Sequence, residues 1–201
     1  PTIGLIRFNN FAQTTHKEIV EAIKKLQAQG MKDLIIDLQQ NGGGYLQAAA
    51  EIASEFLPKN DLIVYTRGRR APSQEFRSTG GGLFTEGKIA ILVDEDSASA
   101  SEILAGALQD QDRGIVVCRR TFGKGLVQRP IDMPDGSMIR LTVSKYYTPS
   151  GRCIQKPYEK GDKLGYAKDV INRYNKGELT HADSIHFPDS LRYQTLRKKR
   201  T

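Results

Sequence analysis

Lys88-Ile-Ala-Ile-Leu-Val-Asp-Glu-Asp-Ser-Ala-Ser-Ala-Ser-Glu-Ile-Leu-Ala-Gly-Ala-Leu-Gln-Asp110 is the stretch whose reading decides the fold. An aliphatic run from Lys88 to Val93 reads as a buried strand, and small polar residues at 94–101 read as a turn. Glu102 to Asp110 then follows a helical pattern. The same order stands upstream, where Asp33-Leu-Ile-Ile-Asp-Leu38 leads into Gly42-Gly43-Gly44 and a helix from about Tyr45 to Leu57. Strand, turn and helix repeating in one chain imply an α/β fold.

Working outward, Thr2 to Phe8 predicts another buried strand. Thr14-Thr-His-Lys-Glu18 has the form of a capping box before a helix carrying Ile19, Ile23 and Leu26, which Gly30 ends. A strand is expected near Leu62 to Thr66, and the Gly-rich stretch 67–87 reads as a long loop or irregular hairpin. Ile115 to Cys118 reads as a short strand and Thr121 to Gly125 as a turn. Leu126 to Met133 and Met138 to Tyr147 form a hairpin around Pro134-Asp-Gly136. Beyond Lys156 the pattern weakens to one helix near Tyr166 to Tyr174.

The 201 residues suit one domain, and their 38% hydrophobic and 26% charged content excludes a disordered chain. The formal charge of +7 does not indicate nucleic acid as a partner. Arg192, Arg197, Lys198, Lys199 and Arg200 supply most of it from the acid-free last ten residues, not from a folded basic stripe. Cys118 and Cys153 are too few for a disulfide scaffold or a cysteine zinc site and are expected to be buried thiols. His16, His181 and His186 include no metal-binding pair at helical spacing, so no metal is expected.

Three segments could carry chemistry. Ser97, Ser99 and Ser101 stand between strand and helix, where a serine is either an ordinary N-cap or a nucleophile raised at the edge of a sheet. Lys124, between Gly123 and Gly125, is either a solvated or phosphate-binding turn residue or an inward-facing lysine. A desolvated lysine would be a neutral amine able to take a proton. A P-loop is excluded because Gly125 follows the lysine where Ser or Thr should stand. Asn41-Gly-Gly-Gly44 serves either tight packing or an oxyanion. All three lie after strands expected to end on one sheet edge.

Asp37-Leu-Gln-Gln-Asn-Gly-Gly-Gly44, Ser97-Ala-Ser-Ala-Ser-Glu-Ile103, Thr121-Phe-Gly-Lys-Gly-Leu-Val-Gln128 and Tyr146-Tyr-Thr-Pro-Ser-Gly-Arg152 together resemble, in order, the signature segments of the C-terminal processing peptidases, the tail-specific serine proteases. The resemblance covers about Thr2 to Gln155. It implies a ClpP/crotonase-like α/β fold, a twisted sheet flanked by helices, and a Ser/Lys dyad requiring no cofactor. The family's spacing, counted back from Lys124, selects Ser99 as nucleophile. Gln128 matches the residue that orients the lysine, and Ala100 with one of Gly42, Gly43 and Gly44 matches the oxyanion hole. Asp110 matches an acidic position with a structural, capping or salt-bridging role.

The resemblance further implies protein or peptide substrates with apolar C-termini, an upstream PDZ domain and a bacterial periplasmic or envelope location. It divides the chain into a catalytic core over 1–160 and a polar segment of the same domain over 161–201, expected to be the least well packed and to lack the family's Gly-Ile-x-Pro-Asp strand. Two rivals share the fold: a non-catalytic module that binds a ligand or partner, and an acyl-CoA enzyme of the crotonase type, which has no use for the dyad.

Overall fold

In a computed structural model, which describes residues 2–158, 161–185 and 189–201, the aliphatic runs become the strands of a parallel sheet. These are β1 (Ile3–Arg7), β2 (Asp33–Asp37), β5 (Ile89–Val93) and β6 (Ile115–Cys118), in the order β1-β2-β5-β6. The connections run through α1 (Thr15–Ala28), α2 (Leu46–Ser54) and α3 (Ala100–Asp110), which touch one another in turn. Alternate residues Ile6, Leu34, Ile36, Ile89, Ile91 and Val93 are buried with these helices, each worth about 1.5–3 kcal/mol when removed from water. On the other face Ile3, Leu5, Ile115 and Val117 remain exposed.

The α/β reading therefore holds, with the strands divided between two sheets. The second is antiparallel, of order β4-β3-β8-β7, from β3 (Leu62–Arg67), β4 (Gln74–Arg77), β7 (Leu126–Asp132) and β8 (Met138–Tyr147). Its β3 packs on α3. The stretch 67–87 is thus partly a hairpin, β3 to β4, and partly a loop held by Arg113, whose guanidinium donates to the carbonyls of Phe56, Phe84, Glu86 and Gly87.

Two expectations are corrected. Thr15 does not cap α1. Its buried hydroxyl accepts the Ala12 N–H at 3.0 Å, and the helix starts without a side-chain cap. The cysteines are not buried: Cys118 is exposed and Cys153 half-buried. Cys118 ends a strand at the sheet edge and turns there with φ +94°, so no layer covers it.

The expected boundary between 160 and 161 falls beside Glu159 and Lys160, which lie outside the described residues, as does His186. After it the expected helix is two short ones, α4 (Lys163–Ala167) and α5 (Asp169–Asn175), followed by single 3-10 turns. This segment leaves Leu164, Ile171, Tyr174 and Leu191 exposed; Tyr166 packs edge-on against Phe122, and most of the remaining docking is polar. Arg173 of α5 is buried and donates to the carbonyls of Arg120 and Thr121 and to Glu178. Near the end, the Leu196 N–H donates to the Asp110 carbonyl at 2.7 Å. Asp112 accepts the N–H groups of Arg197 and Lys198 and the Arg200 guanidinium.

Burial alone would raise the Asp112 pKa. The donors from Lys198, Arg200, Thr195 and Arg197 outweigh it and hold the carboxyl at about 2 against a usual 3.8. A depressed pKa contributes stability above the unfolded value and loses it as pH falls through the folded one. Thermal melting should therefore show the tail clip intact at neutral pH and lost between 3.8 and about 2. Asp112→Asn keeps a side chain suited to the φ of +58° and should lower Tm at pH 7 by a few degrees, on the scale of about 2–4 °C per kcal/mol, while removing that acid-range loss. Equal melting curves for the two proteins across pH 2–7 would show that the clip is ornamental.

Candidate active site

Because β2, β5 and β6 are parallel neighbours, with Asp37 opposite Leu92 and Val93 opposite Cys118, the turns after them leave the same carboxyl edge. That edge gathers the glycine turn, the serines and the lysine loop.

The three serines have different surroundings. Ser97 is buried; its hydroxyl donates to the Leu38 carbonyl at 2.8 Å and accepts the Asp94 N–H at 2.9 Å. Ser101 is buried too and donates to the Asn41 carbonyl at 2.8 Å. Both stitch the turn after β5 to the turn after β2. Ser99 is half-exposed and is the N-cap of α3 at φ +57°, ψ −112°. A non-glycine residue there stores on the order of 1–3 kcal/mol of strain and is raised on a sharp bend between strand and helix.

The glycine turn lies directly against this bend. Buried Asn41 donates Nδ2 to the Phe8 carbonyl at 2.7 Å, which fixes its oxygen to accept the Gly43 N–H at 2.9 Å. A Cβ on Gly43, at φ +97°, would stand 2.6 Å from the Ala98 oxygen and 2.8 Å from both the Ala100 nitrogen and the Ser99 Cβ. One on Gly44 would stand 2.3 Å from the Phe11 oxygen, whereas Gly42 has open space. Gly43 is thus the glycine that leaves room beside Ser99. The Ala100 N–H, at the first position of α3, is among the helix's donors without an intrahelical acceptor.

The lysine loop is tied to the serine turn by Glu102, a buried carboxylate. Its Oε2 accepts the N–H groups of Ser99 and Lys124, each at 2.8 Å. Its Oε1 accepts the Thr121 hydroxyl and the Gly123 N–H, each at 2.7 Å. Burial pushes the Glu102 carboxyl above the usual range, and the donors from Thr121, Lys124, Ser99 and Gly123 offset this only in part. Further bonds hold the loop from outside. Phe122 N–H donates to the Ser97 carbonyl and Gly125 N–H to Gln155 Oε1, both at 3.0 Å, while the Lys156 amine lies 4.2 Å from the ring centres of Phe122 and Tyr166.

Glu102 was legible in the sequence only as an acid three residues after a capping serine. What it does for the loop was not.

The structure thus brings together the main chains of Ser99, Ala100, Gly43 and Lys124. It does not bury the lysine: Lys124 and Gln128 are both exposed. Asp110 is buried and ion-paired with Arg152 at 2.6 Å, and it also accepts the Ser150 N–H, so it secures the Ser150-Gly-Arg152 turn as a salt-bridging residue. Beside the site, a cavity of about 250 Å³ is lined by Leu46, Thr66, Phe76, Val127, Val143 and Tyr146, among others.

Residues 2–169 match the model of peptidase family S41. Over 155 residues the chain is 43% identical to a carboxyl-terminal-processing protease of Synechocystis sp., covering 77% of this chain and 36% of that protein. Over 167 residues it is 37% identical to the chloroplastic carboxyl-terminal-processing peptidase 3 of Arabidopsis thaliana, covering 83% and 31%. The chain therefore spans about a third of the length of these relatives. Among solved structures it is similar to the photosystem II D1 C-terminal processing protease, with a TM-score of 0.72 and 34% identity, covering 76% of this chain and 39% of that one. With a matching family model over most of its length, and with the strand ends, glycine turn and strained serine arranged as described, the chain belongs to peptidase family S41.

Proposed function

We propose that this chain is the catalytic core of a serine endopeptidase of the C-terminal processing type, with Ser99 as nucleophile and Lys124 as general base. One observation carries the choice of serine: Ser97 and Ser101 are buried and donate their hydroxyls to carbonyls of the neighbouring turn, while Ser99 is half-exposed on a strained bend at the start of α3. Ser99 Oγ attacks the scissile carbonyl as its proton passes to the Lys124 amine. The oxyanion is met by the Ala100 N–H and, since Gly43 already donates to Asn41, by an N–H of Gly42 or Gly44. Collapse breaks the peptide C–N bond, and the leaving amine takes the proton from Lys124. Water then attacks the acyl-serine, giving a proton to Lys124; collapse breaks the acyl C–O bond, the proton passes from Lys124 to Ser99 Oγ, and the new carboxyl end leaves.

Only a neutral amine serves as base. Because Lys124 is exposed in the free chain, a bound polypeptide covering the amine completes its desolvation, with Gln128 orienting it. Substrates are polypeptides with apolar C-termini, aligned in the whole protein by a PDZ domain. Its location is the bacterial periplasm or envelope; the chloroplastic relatives make a plastid the competing compartment, which localisation of the whole protein decides.

Labelling by a fluorophosphonate probe tests the enzyme reading directly. Ser99→Ala should abolish labelling and cleavage, and Lys124→Ala should abolish cleavage with the fold intact. Ser97→Ala and Ser101→Ala should still label but melt earlier, each leaving a buried group unpaired at about 1–3 kcal/mol. Labelling that survives Ser99→Ala would sink the assignment.

Glu102→Gln should lower kcat about 10- to 100-fold with little change in KM, since one amide oxygen cannot accept four donors and the base is misplaced. Cleavage by the parent should fail on acidification above the usual carboxyl value of 4.5, as Glu102 takes its proton. Folding is linked in the opposite sense. The native state holds this proton more tightly than the unfolded chain, so the contribution is full below 4.5 and is lost as pH rises through the native pKa. The Gln variant should lack that slope in its melting curves.

Gly43→Ala should remove both cleavage and probe labelling, because its Cβ would displace the Ala100 nitrogen or the Ser99 Cβ. Normal labelling of Gly43→Ala would mean that the turn yields without cost.

A further inference from the structure

The outer half of the β7–β8 hairpin has no described neighbour. β8 pairs with β3 only as far as Lys145 and abuts Gly68 at Val143 and Ser144, so from Thr142 outward its strand partner is β7 alone, and such a two-stranded ribbon is marginal in water by itself. Its two faces differ. The pairs Arg129–Leu141 and Ile131–Ile139 put Ile131, Ile139 and Leu141 on one face, and these are 45–50% exposed. The other carries Gln128, Pro130, Asp132, Arg140 and Thr142, with Met138.

The register shift after Val127 leaves Val143 as an extra residue on β8, and Val127, Arg129 and Val143 all line the cavity next to Leu46. Leu46 begins α2 two residues past Gly44. Apolar side chains interrupted by Arg129 therefore run from the tip of the ribbon into the cavity, whose Leu46 stands two residues from Gly44.

We propose that this face of the β7–β8 ribbon is the docking track for an extended segment of the polypeptide substrate, one that carries apolar side chains and at least one carboxylate. The inference rests on the endopeptidase reading and adds where the chain lies before it reaches Ser99. Charge complementarity selects the occupant. Arg129 lies on the track and Arg69 and Arg70 lead into the Ala71–Gln74 wall of the cavity, and none of the three has an ion pair among the described residues. Among the described residues no carboxylate lines the cavity. A second copy of this chain is disfavoured because it would bring a second Arg129 to a ribbon face that offers no acid to pair with it, and because Pro130 removes an N–H from the edge strand that two copies would share. At about 3.3 Å per residue, the length from Ile131 to Val127 holds roughly four to five substrate residues.

Binding is separable from catalysis in the Ser99→Ala chain. Fluorescence anisotropy with a labelled, unstructured twelve-residue peptide of alternating apolar and polar residues, two of them acidic, should show saturable binding. Ile139→Ser with Leu141→Ser should weaken it at least tenfold, whereas Arg140→Ser on the opposite face should change it less than twofold. Arg129→Glu should reduce at least fivefold the preference for this peptide over one with lysines in place of the acids. Absent binding by the parent, equal affinity for the Ile139/Leu141 variant, or a sedimenting dimer that this variant dissociates would each overturn the proposal. Failure of the endopeptidase reading shows separately, as a chain with Ser99 intact that binds this peptide but does not cleave it.

Discussion

The arrangement at the sheet edge depends on one buried carboxylate. Glu102 sits in the first turn of α3, where the positive end of the helix favours a negative charge, and it accepts four donors from two turns that are far apart in sequence. Burying a carboxylate costs several kcal/mol, and removing one partner from such a group is correspondingly severe. Charge-assisted bonds of about 1.5–3 kcal/mol each offset that cost. The balance explains why the carboxyl stays above its usual range although every oxygen is occupied. It also makes the positions of Ser99 and Lys124 a single quantity: neither main chain can shift by an ångström without straining the other.

Around that carboxylate the supports are layered. Asp94 accepts the Gln40 N–H, Ser97 and Ser101 bridge to the turn after β2, and Asn41 fixes the Phe8 and Gly43 main chains. On the far side Arg173 and Gln155 brace the lysine loop. The polar C-terminal segment is therefore joined to the site through the loop's own carbonyls, although it has little apolar surface to dock with. The turns that carry Ser99 and Lys124 are thus held by main-chain bonds on rigid elements, while the Lys124 side chain is exposed.

Strand periods, the two strand-turn-helix units and the hairpin at Pro134-Asp-Gly136 were legible because each is a local pattern: short aliphatic runs, glycine at positive φ and alternation around a turn residue pair. The α/β class and the gathering of three turns at one edge followed, since parallel neighbours end on the same side. Burial was less legible. Cys118 and Cys153 read as core residues by type, but exposure depends on whether another layer lies over a sheet edge, which no window of sequence contains. Thr15 illustrates the same limit, with the right residues for a cap and a hydroxyl committed elsewhere.

By itself the sequence determined the elements, their order and the short motifs that hold Ser99, Lys124 and the three glycines, because these are set by propensity and spacing within a few residues. Tertiary structure alone decided which serine stays half-exposed and which two are committed, which glycine a Cβ would block, and that Glu102 joins the turn of Ser99 to the loop of Lys124. Each of those is a contact between groups twenty to sixty positions apart, made by packing β2, β5 and β6 side by side. Hydrogen bonds and steric exclusion act through space over about 3 Å, and only the folded chain fixes which atoms meet at that distance.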